Sequence, residues 1–287
     1  MEALNLLNAS GPTVEVREPF TGECLAKFPT SVASDVNAAF ERARRAQRSW
    51  ERAPLSDRCA IMLRFHDLVL HKRSDGLDLV QRETGKARKD ANEEMLDVCL
   101  TARHYARDAR RLLREKRHRG AFPLLVGVRQ RSVPVGVVGV ISPWNYPVTL
   151  EASDAIHALI AGNAVVLKPD LQSTLSAVWV ADLFRQAGLP EGIFTVVAGE
   201  GGDVGPMVID RADYVMFTGS TRVGRLVASR CGERLIGCSM ELVGKNAMII
   251  RADADMESAA SIAVRASFSN SGQLCISMER IYVPENR

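Results

Sequence analysis

From residue 137 onward, short apolar segments alternate with segments of helical periodicity, and this alternation constrains the fold more than any other feature of the chain. Short apolar strands separated by helices of about ten residues indicate a parallel sheet with helices on both faces. In such a sheet, ligands bind outside the carboxyl ends of the strands. The sequence therefore predicts an α/β fold. The predicted strands are 137–142, 164–168, 194–199, 214–219, 235–242 and 247–251, and the predicted helices are 148–161, 175–187, 202–209 and 221–230.

The segment before this alternation, residues 34–119, is predicted to be helical. Apolar side chains recur at the spacing of one helix face, first from Val36 to Ala43 and again from Ile61 to Val69. Its last part, 103–119, carries eight Lys or Arg side chains against two acidic ones and a single aromatic residue. We interpret this part as a solvent-exposed helix face, because a nucleic-acid site would interleave more aromatic side chains. Residues 121–136 alternate in the manner of a β-hairpin.

Charge and hydropathy exclude several function classes. The chain of 287 residues carries 37 basic against 34 acidic side chains, a net charge of +3 that is too small to favour nucleic acid or an acidic membrane. The longest nearly uninterrupted apolar stretch, 133–141, contains a proline and two glycines. A membrane-spanning helix needs about 20 apolar residues, so none is predicted. The amino-terminal residues lack the basic and apolar regions of a secretory signal, which favours a cytoplasmic protein.

The six cysteines divide into two groups. None forms a C-x-x-C pair and no histidine cluster accompanies them, so no metal site is predicted. We interpret the first five as small buried hydrophobes. Cys275 differs, because it follows the polar, glycine-containing sequence SNSGQL and is expected to be accessible. A single accessible thiol is a candidate nucleophile. The five cysteines interpreted as buried are Cys24, Cys59, Cys99, Cys231 and Cys238.

Polar side chains stand where the predicted strands end. Asn145 follows the first strand, Lys168 ends the second, and Glu241 closes the strand through Met240. The turn GSTRVG (219–224) opens a helix and is a weak signal for phosphate binding, because only its outer glycines match the dinucleotide pattern. Taken singly, these residues also suit a turn, a surface lysine and a strand end. Together with the thiol, they are the parts for nucleophilic attack, a general base, oxyanion stabilisation and nucleotide binding.

A second glycine-rich tract, 199–205, has an extra residue before its last glycine and therefore also fails the dinucleotide pattern. We interpret it as a flexible loop.

Several long motifs carry a resemblance to a known family. PWNYP, AGNAVVLKPD, GLPEGIFTVV, FTGSTRVG, MELVGKN and NSGQLC, in this order and spacing, resemble the aldehyde dehydrogenase superfamily over roughly residues 20 to 287. The segments around PWNYP and NSGQLC are most similar to its succinate-semialdehyde dehydrogenase branch. The resemblance implies a Rossmann-like parallel sheet with flanking helices, and a small aldehyde, succinate semialdehyde, as the substrate.

The resemblance also implies catalytic roles. The Cys275 thiolate would attack the aldehyde to form a thiohemiacetal, while Asn145 and the Cys275 backbone N–H hold the oxyanion. Hydride transfer to a nicotinamide cofactor would leave a thioester, and Glu241 would activate the water that hydrolyses it. No metal is required for this chemistry. A thiol-dependent acyltransferase or thioesterase is a weak alternative, because no histidine of the chain lies in a catalytic motif.

For the cofactor, the resemblance implies that Lys168 binds the adenosine ribose and that Ser220 binds the pyrophosphate. NAD-preferring members often carry Glu three residues after the lysine, where this chain has Leu171. The missing anion favours NADP over NAD, with Ser173 as a further candidate contact. The remaining residues of the expected cofactor site are Trp144, Asn145, Pro169, Gly219, Gly224, Glu241 and Leu242.

The resemblance divides the chain into four parts. These are a helical part of the cofactor-binding domain (1–120), an oligomerisation hairpin (121–136), a dinucleotide-binding α/β core (137–243) and the start of the catalytic domain (244–287). Relatives are homo-oligomers of nearly five hundred residues, so the catalytic domain is expected to be incomplete and normal assembly is in doubt. The alternative function is an inactive fragment that retains at most dinucleotide or partner binding.

Two departures from the family pattern affect the site. Val243 replaces a glycine, which would strain the backbone if a positive φ were needed there. Ser277 stands where some semialdehyde enzymes have a second cysteine, so the corresponding redox disulfide is not expected.

Overall fold

The structure is a computed structural model that describes residues 2–122 and 125–285. Its strands are β1 (Thr13–Arg17), β2 (Cys24–Pro29), β3 (Lys116–Arg119), β4 (Gly127–Gln130), β5 (Val137–Ile141), β6 (Ala164–Lys168), β7 (Phe194–Val196), β8 (Tyr214–Gly219), β9 (Gly237–Leu242), β10 (Asn246–Ile249) and β11 (Met278–Tyr282). Its helices are α1 (Ala33–Trp50), α2 (Leu55–His71), α3 (Arg73–Thr84), α4 (Arg88–Leu112), α5 (Pro147–Ile160), α6 (Thr174–Gln186), α7 (Gly201–Ile209), α8 (Thr221–Glu233) and α9 (Met256–Phe268). Short 3-10 helices cover Glu2–Leu6, Leu171–Ser173 and Ser269–Gly272.

A five-stranded parallel sheet with the order β7-β6-β5-β8-β9 forms the centre of the molecule. The chain starts at the central strand, moves outward through β6 and β7, and returns to the other side of β5 for β8 and β9. This is the order of the first five strands of a Rossmann fold (3-2-1-4-5), with its switch point between β5 and β8. The predicted α/β fold is therefore confirmed.

Helices cover both faces of this sheet. On one face, α1 and α7 contact β5 and β6, and α8 contacts β8 and β9. On the other face, α5 and α6 pack together against β5, β6 and β7, and α2, α3 and α4 form a further layer over them. Every residue of β5 and β6 is buried, as expected for strands covered on both faces. The core is continuous from the outer helices into the sheet.

The hairpin lies partly outside its predicted bounds. Its strands are β3 and β4, so residues 116–119 form a strand rather than the end of a helix, and the predicted range 121–136 contains only the second strand. All residues of both strands are exposed. The alternation of the first strand is hidden in the sequence, because Lys116–Arg119 are all basic and show no apolar face. Pro123 and Leu124, within the predicted range, lie outside the described residues.

Three further findings correct or extend the predictions. The tract 199–205 is not a flexible loop, because α7 begins at Gly201 and a Cβ at Gly199 would lie 2.6 Å from Val204 Cγ2. Cys24 is exposed rather than buried, since it stands at the start of β2, whereas Cys99 and Cys231 are buried as predicted. The β1–β2 hairpin and α9 were not predicted.

The Phe65 ring on α2 stacks on the Phe184 ring on α6, with centroids 4.0 Å apart, and both side chains are fully buried. Because this contact joins the outer helical layer to the layer on the sheet, we expect Phe65→Ala to lower the free energy of unfolding by about 3–5 kcal/mol. Leu70→Ala, at a 44% exposed position of the same helix, is the control and should cost about 1 kcal/mol or less. Equal losses in urea denaturation would show that the stacked rings do not join the two layers.

Candidate active site

Two adjoining clefts open at the carboxyl ends of the parallel strands. The larger has a volume of about 770 Å³ and runs between α7 and α8 from their amino-terminal ends to their last residues. The smaller has a volume of about 370 Å³ and lies against the loop before β11. Their shared wall consists of Pro143, Trp144, Thr218, Gly219 and Ser220. The clefts therefore meet at the switch point between β5 and β8, where the fold predicts a ligand.

The smaller cleft brings together the three predicted catalytic residues. Asn145 follows β5, Glu241 lies in β9 opposite Thr218 of β8, and Cys275 lies in the loop after the 3-10 helix 269–272. All three line the same cleft. The thiol is half-buried and the carboxylate is exposed. A nucleophile, an amide donor and a carboxylate thus face one space although up to 130 residues separate them in sequence (275 − 145).

The loop that carries Cys275, residues 270–277, has an unusual backbone that amide side chains hold in place. Asn270 and Ser271 have φ values of 52° and 58°, and Gly272 follows with 76°, so three consecutive residues are left-handed. The buried Asn270 side chain donates through Nδ2 to the carbonyl of Gln273 at 3.1 Å. Asn246 Nδ2 donates to the carbonyl of Cys275 at 2.6 Å. The loop is therefore tied at both ends.

Asn145 is joined to this loop from the strand side. Its Nδ2 donates to the carbonyl of Gln273 at 2.9 Å, and its own carbonyl accepts from Asn270 Nδ2 at 3.1 Å. One hydrogen of the Asn145 amide remains for a ligand. Among residues 2–122 and 125–285, the backbone N–H of Cys275 has no hydrogen-bond acceptor. The second hydrogen of the Asn145 amide and the backbone N–H of Cys275 are thus candidate donors for a ligand in the smaller cleft.

A buried ion pair, Lys86 with Glu94, contacts the main chain of Asn145. Lys86 Nζ donates to Glu94 Oε1 at 2.5 Å and to the carbonyl of Asn145 at 2.6 Å. The ammonium group also lies 4.0 Å from the ring centroid of Tyr146. Burial lowers the pKa of Lys86 and raises that of Glu94, and each partner's charge opposes the shift of the other. Sequence reasoning missed this pair, although Glu94 stands on the apolar face of α4 beside Met95, where a charge is unexpected.

The larger cleft holds the residues predicted for the cofactor phosphates and ribose. The Lys168 side chain lines it although the residue is only 4% exposed, and burial lowers the pKa of its ammonium group. Ser220 caps α8, with its Oγ accepting from the Val223 N–H at 3.3 Å. Arg222 and Asp170 also line the cleft and were not predicted. Arg222 lies within the quoted GSTRVG turn, so its charge at a helix start was a usable signal.

The hydrogen-bond donors and cationic side chains of the larger cleft suit the phosphates of a dinucleotide. The amino-terminal end of α8 presents backbone N–H groups and a positive dipole to the cleft, a favourable environment for phosphate. Lys168 and Arg222 add two cationic side chains. Gly219 keeps the turn open, because a Cβ there would lie 2.6 Å from the Phe217 ring. Of the other predicted cofactor residues, Trp144 lines both clefts, and Asn145, Glu241 and Leu242 line the smaller one.

Four predicted cofactor residues lie outside both clefts. Ser173 is fully buried with its Oγ 3.3 Å from Glu151 Oε1, so it cannot assist a bound phosphate. Leu171 packs against the small apolar cluster of the β1–β2 hairpin. Pro169 is buried after β6. Gly224 lets α8 approach β9, because a Cβ there would lie 2.5 Å from Leu242 Cδ2. The geometry gives these residues packing roles rather than contacts with a ligand.

The structure shows the surroundings of Val243 and Ser277, the two departures from the family pattern. Val243 is 60% exposed and has no positive φ, so the expected strain is absent. Ser277 is 3% exposed, and its carbonyl accepts from Asn246 Nδ2 at 3.2 Å.

Comparison with known protein families decides the relationship. The sequence matches the family described as "Aldehyde dehydrogenase family" over residues 7–287. The chain belongs to the aldehyde dehydrogenase family. The match includes every residue of both clefts, so both lie within the part of the fold that defines the family.

Two curated aldehyde dehydrogenase relatives show how far the sequence similarity extends. A Mycolicibacterium smegmatis protein named "Putative succinate-semialdehyde dehydrogenase [NADP(+)]" is 53% identical over 93% of this chain and 52% of its own length. A benzaldehyde dehydrogenase [NAD(+)] of Pseudomonas putida is 36% identical over 96% of this chain and 57% of its own length. The chain thus spans about half the length of the curated relatives it matches.

Solved structures agree with this relationship. An E. coli NADP-dependent enzyme superposes with a TM-score of 0.93 at 30% identity, covering 96% of this chain and 57% of that one. A succinate-semialdehyde dehydrogenase from Burkholderia pseudomallei gives a TM-score of 0.91 at 30% identity, covering 96% and 57%. In the described part of this aldehyde dehydrogenase chain, none of the helices is both long and apolar enough to span a bilayer.

Buried carboxylates cap the helices that lead away from the site. Glu83 accepts from the backbone N–H groups of Leu175 and Ser176, at 2.7 and 2.9 Å, at the start of α6. Glu94 Oε2 accepts from the Thr149 N–H at 3.3 Å at the start of α5. Burial raises the pKa of Glu83 to about 8 and that of the neighbouring Glu151 well above its ordinary value. This part of the core therefore binds protons more tightly when folded.

The raised pKa of Glu83 predicts a pH-dependent stability. Its native pKa of about 8 exceeds its ordinary value of 4.5, so the proton stabilises the fold below pH 4.5 and that contribution is lost as pH rises toward 8. Glu83→Gln cannot lose a proton. We compare the free energy of unfolding of this variant with that of the unsubstituted chain. The variant's value minus that of the unsubstituted chain should increase from pH 5 to pH 8, by up to about 1.4 kcal/mol per pH unit. Urea denaturation across this range measures the difference, with Glu41→Gln, at an exposed position of α1, as the control. A difference that stayed constant would contradict a raised pKa for Glu83.

Proposed function

We propose that this chain carries the dinucleotide site and the thiol chemistry of an aldehyde dehydrogenase that oxidises succinate semialdehyde to succinate with NADP. The observation that carries the proposal is the meeting of two clefts at one sheet edge. One contains Cys275, Asn145 and Glu241, and the other contains Lys168 and Ser220. The names of the M. smegmatis and B. pseudomallei proteins support the choice of aldehyde.

Cys275 is the proposed nucleophile. Its thiolate would attack the carbonyl carbon of the aldehyde, and the carbonyl oxygen would then become an oxyanion. The free hydrogen of the Asn145 amide and the backbone N–H of Cys275 would donate to that oxygen. One such donor is worth about 3 kcal/mol in other acyl-transfer enzymes.

Glu241 is the proposed base for the second half of the reaction. It is exposed at the edge of the smaller cleft, so water has access to it. Its carboxylate would take the proton from the water that attacks the thioester. The half-buried Asp154 lies in a further cavity of about 260 Å³ together with Glu241, and desolvation followed by the charge of Glu241 raises the pKa of Asp154 to about 6.

A dinucleotide bound in the larger cleft would supply the hydride acceptor. Among the residues of this chain, Lys168 would hold the adenosine ribose, while Ser220, Arg222 and the start of α8 would bind the phosphates. The sequence argument for NADP used the absence of an acid at Leu171, yet that side chain packs away from the cleft. The NADP of the M. smegmatis relative and the cations of the cleft support the choice instead.

The test mixes the purified chain with succinate semialdehyde and NADP, and then with NAD, while the absorbance of the reduced cofactor is followed. Benzaldehyde is the comparison substrate, since the P. putida relative is named for it. Turnover with succinate semialdehyde supports the proposal, and faster turnover with benzaldehyde overturns the choice of aldehyde. A folded chain that quenches Trp144 fluorescence on adding NADP but shows no turnover is the dinucleotide-binding fragment of the alternative. Homo-oligomeric assembly and a cytoplasmic location stay predictions.

Cys275→Ala should abolish aldehyde oxidation and leave the Kd for NADP nearly unchanged, because the thiol lines only the smaller cleft. Cys24→Ala is the matched control, since that thiol is exposed in β2 and lines neither cleft. Stopped-flow absorbance and Trp144 fluorescence measure the two quantities. Turnover by the Cys275→Ala variant would remove this residue from the reaction.

Asp170→Asn should tighten NADP binding severalfold and change NAD binding little. The carboxylate lines the larger cleft with Lys168, and its charge repels the 2′-phosphate that only NADP carries. Asparagine keeps the side-chain oxygen that accepts from the Gln172 N–H at 3.0 Å. Fluorescence titration of both dinucleotides measures the ratio, and Asp203→Asn, exposed in the first turn of α7, is the control. Equal changes for the two cofactors would contradict this placement.

A further inference from the structure

The Lys86–Glu94 pair has no place in the proposed reaction, yet it is buried and close to the site. The side chains are 1% and 0% exposed. An ion pair buried this deeply costs desolvation energy that an apolar pair of similar volume avoids. Overall stability therefore does not explain why an ion pair, rather than an apolar pair, contacts the Asn145 carbonyl.

The ammonium group of Lys86 has three partners in two segments, α4 and the turn after β5. It is bound to Glu94 on α4, to the carbonyl of Asn145, and to the face of the Tyr146 ring. The other carboxylate oxygen of Glu94 accepts from the Thr149 N–H in the first turn of α5. The pair thus holds the last residues of the turn between β5 and α5 together with the first turn of α5.

The same carbonyl oxygen of Asn145 also accepts from Asn270 of the nucleophile loop, at 3.1 Å. The Asn145 side chain in turn donates to Gln273, two residues before the thiol. A shift of the Asn145 main chain would therefore move the amide donor relative to Cys275. Displacements of about 1 Å in such geometry can cost a hundredfold in rate.

We infer that Lys86, held by Glu94, is a positioning residue that fixes the main chain of Asn145 and thereby aims the side-chain amide at the oxyanion formed on Cys275. This inference rests on the proposed function, because it uses the oxyanion role of Asn145. Lys86 does not touch substrate or cofactor in this assignment. It acts only through the amide that it holds.

Two reactions of the thiol separate positioning from access. Acylation by p-nitrophenyl acetate forms a C–S bond through an oxyanion, and the C–O bond breaks with its electron pair leaving on p-nitrophenolate. Alkylation by iodoacetamide displaces iodide directly and forms no oxyanion. Neither reaction needs a dinucleotide or an oxidant. Subtracting the rate of the Cys275→Ala variant corrects both for the remaining thiols.

Lys86→Met should slow the acylation of Cys275 about tenfold and leave its alkylation within about twofold. Asn145→Ala, which removes the donor itself, should slow acylation about a hundredfold. Lys89→Met, at an exposed position of the same helix as Glu94, is the matched control and should change neither reaction. An unchanged acylation rate in Lys86→Met, or equal losses in both reactions, would overturn the inference.

Lys86→Met leaves Glu94 buried without its partner, which can unfold the chain. The double variant Lys86→Met/Glu94→Gln removes both charges and should restore the thermal stability, while still lacking the donor to Asn145. We expect it to fold and to remain slow in acylation. If acylation recovers together with stability, the pair has only a structural role and the inference is wrong.

The two proposals can fail independently. A chain that shows the selective acylation defect but no aldehyde oxidation contradicts the proposed function and keeps the positioning role. A chain that oxidises succinate semialdehyde while Lys86→Met acylates at the normal rate contradicts only the positioning role.

Discussion

The parallel pairing of β5 with both β6 and β8 is the constraint on which the site depends. Hydrogen bonds in this register place Ile141 beside Lys168 and also beside Phe217, so the chain leaves three neighbouring strands at one edge. The pairing of Thr218 with Glu241 extends the same edge to β9. Because Lys168 and Glu241 lie near the ends of β6 and β9 and Asn145 lies in the turn after β5, one sheet edge collects the amine, the amide and the carboxylate. The thiol is then the single group that a loop must deliver.

That delivery depends on amide side chains rather than on apolar packing. Cys275 follows three consecutive left-handed residues, a backbone that costs energy at the two positions other than glycine. Asn270 and Asn246 offset the cost by donating to the carbonyls of Gln273 and Cys275 in the loop. Asparagine also tolerates the left-handed conformation better than most residues, which suits position 270. The strain is therefore local to the nucleophile loop, while part of its compensation comes from Asn246 on β10.

The parts of the fold that could be predicted are those with an apolar pattern. The central strands β5 and β6 are buried along their whole length and read as continuous apolar runs, so they and the polar residues at their ends were evident in the sequence. Lys116–Arg119 form a strand on an exposed ribbon without such a pattern, and their basic side chains indicated a helix instead. Leu171 and Ser173 were placed at the ligand by their distance in sequence from Lys168. Their side chains point away because the 3-10 helix 171–173 packs them on the β1–β2 cluster and on Glu151.

The buried ion pair shows a second limit of sequence reasoning. Lys86 and Asn145 are 59 residues apart, and the contact joins a side chain to a main-chain carbonyl. Every residue has a main-chain carbonyl, so the residue type at position 145 does not indicate that this carbonyl accepts from Lys86. Only the partner side is visible, as a charge on the apolar face of α4. Because an unpaired buried charge is strongly destabilising, Glu94 on that face required a cation nearby, and Lys86 directly after the helix-ending Gly85 meets that requirement. Buried charges in the core are thus a sequence-level guide to the contacts that support a site, even where they do not form it.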